Sequence, residues 1–123
     1  MTDLAQLQMM TVDLHQPVPM KAIQAVAKLI AERFRPEKII LFGSHAYGQP
    51  KPWSDVDLLV VMKTDLAPRQ QRLEIARYLS PRPFAIDIVV RTPSDLERRI
   101  ALNDFFLREI VSKGKVMYER SDS

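Results

Sequence analysis

Three short apolar runs, at residues 38–42 (KIILF), 56–62 (VDLLVVM) and 84–90 (FAIDIVV), constrain this chain more than any other feature. Each is five to seven residues long, rich in isoleucine, leucine and valine, and bounded by turn residues such as Gly43-Ser44 or Pro81 and Pro83. That length is too short for a buried helix and right for a strand covered on both faces. Between the runs the period changes. Apolar residues at 20, 23, 26, 27, 30 and 34 predict an amphipathic helix over 20–34, stopped by Pro36. A second helix is expected over 67–79, with Leu73, Ala76 and Leu79 on its apolar stripe and Arg69, Arg72 and Arg77 off it. Thr92 and Pro93 are a cap and first residue for a third, with Asp95 in its first turn. It is expected to run to about Lys113, bent near Asn103 and capped by Gly114. A last strand is expected over 115–119. The alternation gives an α/β (α+β) fold, a single-domain mixed β-sheet with helices packed on it, and disfavours a helical bundle. Residues 1–19 read as a weakly patterned, peripheral leader, 20–119 as the domain and 120–123 as a tail.

Composition closes off other classes. The chain has 123 residues, 46% of them hydrophobic, enough for one domain with a real core and too many for disorder. Its longest unbroken apolar stretch, residues 58–62, is far short of the ~20 residues of a membrane span. The opening MTDLAQ lacks the basic and apolar regions of a secretory signal, so a cytoplasmic location is expected. With no cysteine and two histidines, disulfides and thiolate metal sites are excluded and a zinc centre is disfavoured. A net charge of +3 suits a polyanionic partner without requiring one. Eleven of the eighteen basic residues are arginine, which favours bidentate contacts to phosphate or carboxylate.

Against that background three aspartates stand out by position. Asp55 and Asp57 open the second run and Asp87 sits in the middle of the third. Residues i and i+2 of a strand face the same way, with α-carbons about 6.6 Å apart, so Asp55 and Asp57 project together. Asp87, flanked by Ala85, Ile86, Ile88 and Val89, needs a cation or an open cleft, because an ionised carboxylate is costly to bury alone. Three carboxylates in one place repel unless divalent cations neutralise them. With oxygen ligands only, magnesium or manganese fits better than zinc.

The turn before them completes the pattern. Gly43 permits backbone angles closed to other residues, and Ser44 starts a short helical turn whose free N–H groups suit a phosphate. Strand, Gly-Ser, ten residues, Asp-x-Asp entering a second strand, and a third aspartate thirty residues on form one constellation. It resembles the GS-x10-DxD signature of the DNA polymerase β-type nucleotidyltransferase superfamily. The stretch GSHAYGQPKPWSDVDLLVV and the ending FLREIVSKGKVMYE are similar to the minimal nucleotidyltransferases (MNT), over nearly the whole chain.

The resemblance implies more than the residues do alone. It implies ATP as substrate and two magnesium ions, held by Asp55 and Asp57 with Asp87 on the catalytic one, while Gly43 and Ser44 hold the triphosphate. Many minimal members are antitoxins paired with a helical HEPN ribonuclease toxin, which they silence by moving AMP onto a tyrosine. That makes the expected activity adenylyl transfer to such a toxin. A toxin-masking protein without catalysis and a transferase acting on an aminoglycoside-like small molecule are the alternatives. A nucleic-acid partner is not indicated, and homo-oligomers are an option. Many relatives carry arginine where this chain has His45 and Tyr47, so His45 reads either as a weaker phosphate donor or as an exposed side chain. Trp53 and Tyr47 are expected to pack locally. Adjacent Phe105 and Phe106 cannot both enter one core, which leaves one for a partner or second copy, and His15 is expected at the surface.

Overall fold

The structure is a computed structural model that describes residues 4–9 and 13–121; part of the expected leader and tail lies outside that range. Ten elements follow one another. They are α1 (Leu4–Met9), α2 (Met20–Phe34), β1 (Lys38–Phe42), α3 (Ser44–Tyr47), β2 (Val56–Val61), α4 (Pro68–Leu79), β3 (Ile86–Arg91), α5 (Pro93–Ala101), α6 (Phe105–Lys113) and β4 (Lys115–Glu119). The strands form one sheet in the order β3-β2-β1-β4. β1 is antiparallel to both β2 and β4, and β2 runs parallel to β3 through the α4 crossover.

The alternation of side chains along the strands sorts the helices into two layers. Ile39, Leu41, Leu58, Val60, Ile88 and Val90 face one way and meet the buried residues of α2 together with Ile75 and Leu79 of α4. Ile40, Phe42, Leu59 and Val61 face the other way and meet Leu107 and Ile110 of α6, with Leu96 and Ile100 of α5 at the margin. α2 buries eight residues, and its end is set by Arg35 in the left-handed region (φ 51°), whose N–H bonds Ala31. Gly114 joins α6 to β4 so closely that a Cβ there would collide with the Ile110 carbonyl and the Ile40 side chain.

Four sequence expectations are corrected here. The leader is not peripheral: Leu7 and Val18 are buried in the larger core, and α1 packs on α2. The expected single helix over 93–113 is two, α5 and α6, because Asn103 takes a positive φ of 63° and Asp104 caps a fresh helix by accepting from the Leu107 N–H. On α4 the buried stripe is Gln71, Ile75 and Leu79, while Leu73 is exposed. β3 is an edge strand and buries alternate residues instead of all of them. Among the described residues no helix is long and apolar enough to cross a membrane.

Candidate active site

Strand register builds the site. Phe42 of β1 pairs with Asp57 of β2, and Asp57 pairs with Asp87 of β3, so one row of three strands reads Phe, Asp, Asp. The next row inward is Ile40, Leu59, Val89, and both rows lie on the α5–α6 face. The sheet face therefore changes from apolar to acidic at one end. Neighbouring strands stand about 4.8 Å apart, so the two paired aspartates start from adjacent backbones. Asp55 lies immediately before β2. Asp57 is half-buried, whereas Asp55 and Asp87 are exposed.

The electrostatics record this crowding. The Asp57 carboxyl is pushed up to about 6 from a usual 3.8, first by burial and then by the negative charges of Asp87 and Asp55. Among the described residues no lysine or arginine forms an ion pair with any of the three.

Gly43 is fitted against the same carboxylate. Its φ of 75° lies where only glycine is at ease, and a Cβ there would fall on the Asp57 carboxylate oxygen. The single turn of α3 follows, with the Gly43 carbonyl accepting from the N–H groups of Ala46 (3.0 Å) and Tyr47 (3.1 Å). Ser44 thus starts a helical turn beside Asp57.

His45 is neither of the things its sequence context allows. It is buried, and its Nδ1–H donates to the Asp55 carbonyl at 3.1 Å, tying α3 to the start of β2. Its Nε2 is buried with no partner among the described residues. Sequence reasoning missed this positioning role, since nothing local says that a histidine will bond a carbonyl ten residues away. Trp53 is 78% exposed instead of packed locally, and Tyr47 stands at the border of exposure. Phe105 and Phe106 are both exposed, at 80% and 53%, with Phe106 edge-on to Phe42 (centroids 5.6 Å apart, planes at 86°). His15 is exposed, as expected.

Chemically, the arrangement offers oxygen ligands only. Among the described residues no three His, Cys, Asp or Glu side chains already form a metal cage. The donor set nonetheless fits a hard divalent cation: three carboxylates, no thiolate, and the nearby histidine turned to a backbone carbonyl. The raised Asp57 carboxyl is the strain that such a charge relieves.

None of the curated proteins matches this chain. Among solved structures, a protein of Sulfolobus solfataricus provisionally named a nucleotidyltransferase is similar over 85% of this chain and 83% of its own, with a TM-score of 0.58 at 20% identity. At that identity the likeness speaks for the fold: a mixed sheet flanked by helices, arranged as in that nucleotidyltransferase. The family described as "Polymerase beta, Nucleotidyltransferase" matches residues 24–123, which include the glycine-serine turn and all three aspartates. The chain belongs to that family.

Proposed function

We propose that this nucleotidyltransferase moves AMP from ATP to a hydroxyl, a tyrosine of a HEPN-type toxin being the acceptor, and so acts as an antitoxin. The observation that carries the reading is the register of Asp57 with Asp87 beside a Gly43 that has no room for a side chain. The protein acceptor rests on the similarity of GSHAYGQPKPWSDVDLLVV and FLREIVSKGKVMYE to the minimal nucleotidyltransferases.

Asp55, Asp57 and Asp87 are the residues that would hold magnesium. When bound, the ions supply positive charge against the triphosphate and favour ionisation of the acceptor hydroxyl. The rest is done by the chain. Gly43 lets the backbone approach the phosphates and Ser44 offers its hydroxyl to them. His45 fixes the Asp55 backbone, so the first carboxylate does not wander. The acceptor oxygen forms a bond to the α-phosphorus as the bond to pyrophosphate breaks. Asp87, the most exposed end of the row, takes the hydroxyl proton and passes it to water. Positioning and electrostatics carry the rate, and no covalent enzyme intermediate is required.

The test uses the purified chain, a HEPN-type partner, magnesium and ATP labelled at the α-phosphate. Label is expected on the partner, and Asp57→Asn is expected to abolish it. If label reaches no protein while Asp57→Asn still neutralises the toxin, the chain works by masking and the transfer reading is wrong.

A further inference from the structure

The outer edge of β3 borders a groove of 320 Å³ walled by the first two turns of α4. Pro68, Arg69 and Arg72 form one side, and β3 from Asp87 through Ile88 to Arg91 forms the other. Arg69 and Arg72 are three residues apart on α4 and so share a face. Neither has an ion-pair or hydrogen-bond partner among the described residues. Two free guanidinium groups therefore stand over a channel whose far end is Asp87.

The strand edge limits what fits. The carbonyls of Ala85 and Arg91 bond β2, through the N–H groups of Val56 and Met62, so by alternation those of Ile86, Ile88 and Val90 face outward. Arg82 already closes the Ile86 carbonyl at 2.9 Å, and Arg91 closes that of Val90 at 2.8 Å. Ile88, midway, has no such closing partner among the described residues, which leaves its outward backbone groups for another chain. That is room for a short extended segment, held by strand addition at its centre and by side-chain charge at its flank.

We infer that this groove docks an extended acidic segment of the acceptor protein, with carboxylates on Arg69 and Arg72, and delivers its hydroxyl to Asp87. The acceptor role rests on the nucleotidyl-transfer reading; the groove's preference for an acidic peptide does not. A nucleic-acid strand matches less well, because no aromatic ring lines the channel to stack a base.

The test measures fluorescence anisotropy of a labelled glutamate–tyrosine copolymer on the full chain. A lysine–tyrosine copolymer and single-stranded oligothymidine serve as the other probes. We expect the acidic copolymer to bind at least about tenfold more tightly than the basic one. Arg69→Glu with Arg72→Glu is expected to erase that preference, with the variant's fold checked by thermal unfolding. Lys21→Glu with Lys28→Glu on α2 makes the same change in net charge and is expected to leave binding intact. Equal affinity for both copolymers overturns the inference, as does equal loss in the two double variants. Tighter oligothymidine binding through the same arginines overturns it in favour of nucleic acid. A chain that binds the acidic copolymer but not ATP with magnesium sinks the transfer reading instead, and one that binds ATP but not the copolymer sinks the groove alone.

Discussion

Asp57 is where the fold is set against itself. Its carboxyl titrates near 6 in the folded chain and near 3.8 when unfolded, so between those values the native state holds the extra proton. Stability from this group is complete below about pH 3.8 and is lost as the pH rises through 6. Asp57→Asn removes the ionisation while keeping the shape. In chelator-treated protein the variant is expected to melt higher than the wild type at pH 8, with the gap closing below pH 4. Thermal unfolding across that range checks it, and a gap independent of pH would show that Asp57 is not strained by its neighbours. The sequence makes part of this legible: period-two spacing puts Asp55 and Asp57 together, and an aspartate inside FAIDIVV marks itself as exceptional. It could not pair Asp57 with Asp87, because register between two strands thirty residues apart is a tertiary fact. It could not bury His45 either, for the same reason.

At the scale of elements, local chemistry set most boundaries and misjudged the faces. α2, β1 and β4 begin and end where periodicity and apolar content put them, and Thr92 caps α5 by accepting from the Asp95 N–H at 3.2 Å. The break between α5 and α6 was written in Asn103-Asp104, a residue tolerant of positive φ followed by a good N-cap. Choosing a helix face from sequence is harder when apolar residues are few. α4 has Leu73, Ile75, Ala76 and Leu79 among charged neighbours, and two stripes are arithmetically open. Packing against β3 selects Ile75 and Leu79 and admits Gln71, whose Oε1 accepts from the Thr64 hydroxyl at 2.7 Å. Ile75→Ala is accordingly expected to destabilise the chain by about 2–5 kcal/mol. Leu73→Ala should change stability by less than about 1 kcal/mol. Urea unfolding midpoints separate them, and the reverse order would restore the stripe through Leu73.

Across the whole molecule, the two helical layers are unequal, and the acidic row lies on the sheet face that carries the weaker one. α2 contributes eight buried residues to one side of the sheet, whereas α5 on the other side contributes none. Leu96 and Ile100 of α5 only reach the edge of a core formed by four strand residues and two from α6. Few buried apolar contacts mean a low free energy of local opening, so α5 should unfold on its own far more often than the sheet does. Native-state hydrogen exchange is expected to show the amides of residues 98–101 exchanging through local opening, while those of residues 26–31 exchange only with global unfolding. Equal protection of the two helices would mean that α5 is held by something other than the contacts at its margin. The asymmetry agrees with the row of carboxylates. A tightly packed layer over Asp57 would bury its charge further, so the side of the sheet on which we propose the chemistry is the side the core leaves thin.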